Sequence, residues 1–400
     1  MKAFAKTGGQ ALTFDFVEQT RRVARIRVVG VGGAGGNAIN RMIEDELSGV
    51  DFIAINTDLQ ALDQNLAPNQ IQIGKNLTRG LGSGGIPEVG KKAIEENLDA
   101  VHDALSESDM VFITCGMGGG TGTGAAPVVA EIARDGGALT VGIVTSPFLF
   151  EGAKRMEKAE QGIQMLKENV DTLIVVPNQK LISLVPKNTP LQEAFRVADE
   201  ILLSATRGIS DVINVPGLIN LDFADVKTVM SSMGDALMGS GMAAGDNRGK
   251  EAAEKAISSQ LIDDVSIMGA KGVLINISGG KDLSLNDIND ATSVIYDAAG
   301  NDALIIFGAV IDPTLNGDLR VTVIATGFHK NGYRTKPRPD KNDKRRTPES
   351  ILATDDFPVL QDWKKEPLFG LDEVFGPDSG FSFSGKDNLN IPTFLRKQMD

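Results

Sequence analysis

The chain has 400 residues, 42% of them hydrophobic, and a formal charge of −13; that length exceeds one typical domain, and that composition buries a sizeable core. One cysteine and two histidines exclude a disulfide framework and leave little for a Cys/His metal site. The acidic balance argues against a nucleic-acid-binding face. No apolar run approaches membrane-spanning length, and residues 1–22 lack a signal peptide's apolar core, so the expectation is a cytoplasmic protein without direct membrane insertion.

Residues 1–22 read as a flexible arm. Residues 25–31 predict a first strand, Gly32-Gly33-Ala34-Gly35-Gly36 a turn, and 37–47 a helix. Strands are expected at 52–56 and 71–73, then a glycine loop over 80–85 and one helix over 89–105. A strand at 110–114 leads into Gly116-Met117-Gly118-Gly119-Gly120-Thr121-Gly122-Thr123-Gly124, with a helix over 125–134. Strands follow at 139–144 and 173–176, with a helix between them. This alternation implies an α/β fold with a mainly parallel sheet covered on both faces. A long helix is expected from near Thr189, where Thr189 and Gln192 have capping-box spacing and Pro190 takes the favoured first position. It ends before Pro216. Strands at 272–277, 303–307 and 319–324 belong to a second, smaller domain, and the close spacing of the last two suggests an antiparallel hairpin.

After His329 the composition turns to Lys, Arg, Asp and Pro with no apolar period, which reads as a disordered linker. Residues 357–383 carry scattered aromatics, Trp363 among them. Ile391, Phe394 and Leu395 then fall at i, i+3, i+4 behind Pro392, a short amphipathic helix that reads as a docking peptide on a tether. The expected divisions are 1–22, 23–188, 189–215, 216–328, 329–387 and 388–400.

The chemistry concentrates in the glycine turns. A glycine-rich passage from strand to helix exposes backbone N–H groups beside a partial positive charge, which suits phosphate, and Thr121 and Thr123 can add hydroxyls. Gly30-x-Gly32-x-x-Gly35 is by itself the dinucleotide fingerprint, a weak signal that would fit a nicotinamide-dependent oxidoreductase. The second turn at Gly116 and the acidic loop of Asp222 and Asp225 would then be unexplained; with a third glycine loop over 82–85, the glycine turns together suit one triphosphate. No Gly-x-x-x-x-Gly-Lys-Ser/Thr sequence occurs, so the P-loop is excluded. Cys115, beside the loop, reads as a small buried residue, and neither His102 nor His329 points to a site.

The run 118–124 resembles the signature loop of the tubulin and FtsZ superfamily. Gly124-Ala125-Ala126-Pro127-Val128-Val129-Ala130 is similar to the FtsZ family within it. So are Gly32 to Asn37, Asn56-Thr57-Asp58, Phe150-Glu151-Gly152, Asn220-Leu221-Asp222-Phe223-Ala224-Asp225 and Ile391 to Arg396. The resemblance covers roughly residues 25–328 and the tail peptide. Ala34 departs from the glycine of many relatives and is tolerable if its backbone is not left-handed. The resemblance implies a Rossmann-like parallel-sheet GTPase domain (23–188), a long central helix, a smaller α+β domain and a disordered tail. It implies GTP or GDP held by Gly33, Ala34, Gly35, Gly36, Asn37, Gly116, Gly118, Gly119, Gly120, Thr121, Gly122 and Thr123.

Glu151 and Arg155, alone a helix-surface pair, would sit on the ribose and near the phosphates. Phe195 would stack on guanine, Asp199 would accept from its N1–H and exocyclic amine, and Asn178 would make a further base or ribose contact. Asp222 and Asp225, alone an ordinary solvated turn, would act catalytically in the next subunit's site, with Asn220 positioning their loop. Mg²⁺ would be held mainly by phosphates and water, with no protein metal ligand. Head-to-tail homopolymers forming a midcell division ring are implied, tethered to membrane-anchored division proteins through Ile391, Pro392, Phe394 and Leu395, with no nucleic acid. A plasmid-partition tubulin-like GTPase is the alternative, and would not be expected to carry that peptide.

Overall fold

A computed structural model describes residues 24–328 except 184, 187, 216, 220, 232 and 260–266. The first half runs β1 (Ile26–Val31), α1 (Gly32–Glu44), β2 (Asp51–Asn56), α2 (Leu59–Asp63), β3 (Asn69–Gln72), α3 (Lys75–Thr78), α4 (Pro87–Glu95), α5 (Leu98–Leu105), β4 (Met110–Gly116), α6 (Thr121–Asp135), β5 (Leu139–Ser146), α7 (Ala153–Lys167) and β6 (Thr172–Pro177). It continues through α8 (Asn178–Leu181), α9 (Leu191–Asn214), α10 (Phe223–Met230), β7 (Gly234–Ala244), α11 (Arg248–Ile257), β8 (Gly272–Gly279), α12 (Leu285–Ala299), β9 (Leu304–Ile311) and β10 (Asp318–Thr326).

These strands form one sheet in the order β3-β2-β1-β4-β5-β6-β7-β10-β8-β9. Pairing is parallel from β3 through β7, antiparallel on both sides of β10, and parallel again between β8 and β9. Alternation along the strands divides the core. Val28, Phe112, Val141 and Ile174 face α1 and α9, while Val29, Val111, Ile113 and Leu173 face the layer of α4, α5 and α6. A third cluster packs Val273, Ile275, Val321 and Val323 under α11 and α12.

The structure departs from the sequence reading in several places. The expected turn at 32–36 is the first turn of α1 itself. Gly32 leaves the strand at φ 74°, and Gly35 lets the helix backbone touch the sheet: a Cβ there would lie 2.5 Å from Thr114 O. The single helix expected over 89–105 is two, because Asn97 leaves helical geometry at φ −132° and its Oδ1 accepts from the Gly74 amide at 3.0 Å. The long helix begins at Leu191 with Pro190 as N-cap and no side-chain cap; the Thr189 hydroxyl donates back to Pro186 O at 2.7 Å. The hairpin is absent. α12 carries the chain back so that β9 runs parallel to β8, and β10 lies on the far side of β8, paired with β7 as well. That position gives β10 a partner along each edge, and its Thr322 and Val323 are buried on opposite faces.

Candidate nucleotide site

β1 and β4 are parallel neighbours, with Gly30 opposite Thr114, and each runs straight through glycines into a helix. The starts of α1 and α6 therefore meet at one edge of the sheet. Neither helix has a side-chain N-cap bond or an acid in its first turn. Two sets of unpaired N-terminal amides, each with the positive end of a helix dipole, converge there. The turns touch: a Cβ on Gly32 would sit 3.0 Å from Gly122 N, and one on Gly116 would sit 2.7 Å from the Ala34 methyl. Ala34 is helical rather than left-handed, so alanine is accommodated.

The second turn is latched from within. Met117 N–H donates to Thr145 O, and the amide of Gly118, at φ 93°, donates to Thr123 Oγ1, both at 2.9 Å. Thr123 and Thr121 are both buried, with Thr121 Oγ1 2.7 Å from Thr57 Oγ1 and 2.9 Å from Ser83 Oγ. Gly119 is half-buried with nothing within 4 Å of where its Cβ would stand; Gly33, Ala34 and Asn37 are exposed, and Gly36 half-buried. The exposed lining is thus largely bare backbone.

Glu151 and Arg155 flank this turn. Glu151 Oε1 accepts from the Phe148 amide at 2.8 Å, its Oε2 is 3.1 Å from Arg155 Nη1, and the Arg155 backbone lies against Gly118. On the α9 side, Asn178 begins α8 at the end of β6. It is 5% exposed, and its Oδ1 is buried without a hydrogen-bond partner. A buried orphan acceptor is rare in a finished fold and fits a site that a ligand completes. Phe195 on α9 is 39% exposed, edge-on to Phe148 with centroids 5.4 Å apart. One turn on, burial pushes the Asp199 carboxyl up to about 7, against the opposing pull of Arg41 and with Glu200 adding to the rise. Arg41 on α1 pairs with Glu200 at 3.1 Å, bracing α1 against α9.

Asp222 and Asp225 lie elsewhere. Both are exposed at the start of α10, where Asp222 Oδ1 caps the Ala224 amide at 3.2 Å. The preceding Ile219 bridges antiparallel to Ala309 of β9, so the chain into Asp222 heads toward the strand starts of β8 and β9. The end of α10 is pinned at that edge: Thr172, first in β6, donates to Met230 O, and Thr326 donates to Val229 O at 3.0 Å. The glycine turns occupy the opposite edge, and β8 is five strand spacings from β4, roughly 24 Å. Asn220, the arm, the linker, His329, Trp363 and the peptide bearing Ile391, Pro392, Phe394 and Leu395 lie outside the described residues.

The sequence reading passed over Thr57, Ser83 and Arg41 as individual contributors; the one local signal was a hydroxyl residue between Gly82 and Gly84. Cys115 is buried, which pushes its thiol up to about 12, and His102 is exposed beside Asp103. Among the described residues no group of three or more His, Cys, Asp or Glu side chains is placed to hold a metal ion, and no helix is long and apolar enough to cross a membrane.

Two glycine turns on adjacent parallel strands, each opening a helix, beside a long helix presenting an aromatic and an acid, have the form of an α/β nucleotide-binding protein of the tubulin type. The Tubulin/FtsZ family GTPase domain matches residues 25–186, and the FtsZ family C-terminal domain matches residues 234–329. An empty FtsZ dimer from M. jannaschii is 48% identical, covering 78% of this chain and 89% of its own, with a TM-score of 0.74. A mutant of that FtsZ aligns with the same identity and TM-score over 76% of this chain and 91% of its own. CetZ2 from Haloferax volcanii, a GTPγS-bound protofilament, shares the fold at 22% identity and TM-score 0.65, covering 76% of this chain and 94% of its own. The chain belongs to the FtsZ family. It is a GTPase with GTP and GDP as its nucleotides, and the nicotinamide alternative falls with that assignment.

Proposed function

We propose that this GTPase assembles head to tail into filaments and hydrolyses GTP at the junctions, the acids of one subunit completing the nucleotide site of the next. The observation that carries this reading is the placement of Asp222 and Asp225 at the edge opposite the glycine turns, where they cannot reach their own subunit's nucleotide. An interface joining two different edges is heterologous and grows into an open filament. The FtsZ relative is a dimer and the CetZ2 relative a protofilament, which supports association of this kind.

In this mechanism the free amides of the glycine turns at 33–37 and 116–123 hold the phosphates, those of Met117 and Gly118 being committed within the second turn; Glu151 takes the ribose and Arg155 lies near the phosphates. Phe195 stacks on guanine, Asp199 accepts from its N1–H and amino group, and the orphan Asn178 acceptor gains a partner. Asp222 and Asp225 of the neighbour orient and polarise the attacking water, with Asn220 setting their loop. The protein's contribution is positioning and electrostatics. The two glycine turns carry hydroxyls and amides but no carboxylate, so Mg²⁺ fits there on phosphate oxygens and water, where it would neutralise phosphate charge.

The GTP-binding domain is placed at 23–188, the central helix at 189–215 and the second domain at 216–328, with a tether over 329–387. The last segment, 388–400, docks through Ile391, Pro392, Phe394 and Leu395 onto membrane-anchored division proteins, holding a cytoplasmic filament at the midcell ring. That peptide favours division over plasmid partition. The test is the GTPase rate per molecule as a function of protein concentration. A threshold below which activity vanishes is expected; a constant rate at all concentrations overturns the shared site.

A further inference from the structure

We infer that Ser83 is a positioning residue for the phosphate turn: Ser83 and Thr57 both donate to Thr121 Oγ1, leaving the Thr121 proton free for a phosphate oxygen. The inference rests on the reading that residues 116–123 hold phosphates.

Three hydroxyls from separate parts of the sequence, two loops and the start of α6, form a chain, with Thr121 in the middle at 2.7 Å from Thr57 and 2.9 Å from Ser83. Their residues are 0%, 7% and 8% exposed for Thr57, Thr121 and Ser83, so bulk water does not compete for them. A hydroxyl has one proton to give and two lone pairs. If Thr121 donated to either neighbour, nothing would remain for the nucleotide. If it accepts from both, each short contact is a hydrogen bond and its own proton points outward from the first residue of α6. Two incoming bonds also polarise the central O–H and strengthen it as a donor.

The surroundings fix the chain in place. Thr57 follows β2, its carbonyl accepts from Thr78 Oγ1 at 3.4 Å, and the next residue, Asp58, caps α2 by accepting from the Gln60 and Ala61 amides. Ser83 lies between Gly82 and Gly84, both left-handed at φ 83° and 61°, and its carbonyl accepts from Ile86 N–H at 3.1 Å. This loop presses directly on the phosphate turn: a Cβ on Gly120 would collide with Ser83 Oγ and stand 2.7 Å from Ile86 N, and one on Gly90 would strike Gly120 O. From the other side Lys158 Nζ donates to Gly85 O at 2.7 Å. Residues 80–86 are thereby coupled to the phosphate turn through one hydroxyl whose direction the nucleotide sets.

The test is calorimetric titration of the nucleotide-stripped full chain with GDP. Ser83→Ala should raise Kd about three- to tenfold, the loss of one hydrogen bond. The same substitution in a Thr121→Val background should change Kd no further, because its acceptor is gone. Thr57→Val should weaken GDP by a similar factor and serves as the second arm if Thr121→Val does not fold. Unchanged Kd in Ser83→Ala or in Thr57→Val, or an equal loss with and without the Thr121 hydroxyl, overturns the inference. Wild-type protein that takes up no GDP, or Thr121→Val that binds GDP as tightly as wild type, overturns instead the phosphate-turn reading beneath it.

Discussion

At the residue scale, Asp199 carries the clearest consequence. Burial pushes its carboxyl up to about 7, yet the proposed reading of guanine requires the ionised form, since N1–H and the amino group are both donors. Protons and guanine therefore compete. Affinity for GTP should be full at pH 8 and fall by up to tenfold per unit below about pH 7, measured as Kd across pH 5.5 to 8. Asp199→Asn should flatten that profile and lose the preference for guanine over hypoxanthine, which lacks the 2-amino group. Stability of the nucleotide-free protein should move the other way. A carboxyl raised in the fold keeps its proton between about pH 4 and its folded value while the unfolded chain has released it. The folded state is therefore favoured at the acid end of that window, and the advantage fades as pH rises through it. Asp211 acts with the same sign: burial pushes it up to about 6, with Arg207 and Arg320 opposing and Asp312 assisting. The melting temperature of nucleotide-free protein should drop from pH 5.5 to 7.5, with a shallower slope in Asp199→Asn; an unchanged slope would count against the assignment.

At the element scale, the same residue type does two jobs, and substitution separates them. A methyl on Gly124 would strike Pro87 O and lie 2.7 Å from Lys91 N, both backbone atoms, so Gly124→Ala should lower stability by about 1–3 kcal/mol in urea unfolding. Gly119 meets nothing within 4 Å; Gly119→Ala should keep the wild-type unfolding midpoint and lose nucleotide affinity, because its methyl enters the proposed phosphate cradle. Arg248 is a further joint. It reaches Asp282, Asp287 and Gly317 O, clasping α11, α12 and the start of β10. Burial would raise Asp287, but its bonds to Arg248 and Ser284 outweigh that and lower it. Arg248→Met leaves Asp287 without its cationic partner and should cost about 3–5 kcal/mol by the same measurement. These joints also show what sequence can reveal. β1, β4 and β5 are runs of β-branched residues and were legible. β7, Gly-Asp-Ala-Leu-Met-Gly-Ser-Gly-Met-Ala-Ala, has none and was not; its glycines serve α11, since a Cβ on Gly241 would lie 2.6 Å from Ala256 N. The start of α1 was misplaced because glycine disfavours helix locally, while close packing on β1 and β4 requires it. The glycine turns were legible because each is contiguous. The hydroxyl chain was not, since its links span 64 and 38 positions.

At the scale of the whole molecule, one continuous sheet separates the two proposed half-sites. The glycine turns lie beyond the ends of β1 and β4, and Asp222 and Asp225 lie on the segment running toward the starts of β8 and β9. If each half works only with its counterpart from another copy, two differently damaged proteins should repair each other. Asp225→Ala keeps an intact nucleotide edge and lacks the acid; Gly119→Ala keeps the acid and lacks nucleotide. Neither should release phosphate alone. In a filament assembled at random from equal amounts, half the junctions take their nucleotide edge from Asp225→Ala, and half of those meet an intact acid. Phosphate release should therefore appear on mixing, at up to about a quarter of the wild-type rate for open head-to-tail assembly. Catalysis within a single subunit predicts no release at any mixing ratio, because no copy in the mixture holds both halves. Phosphate release measured against mixing ratio therefore decides the point: a rate that stays at zero throughout would place the acids' work inside their own subunit, and release by Asp225→Ala alone would place it outside catalysis.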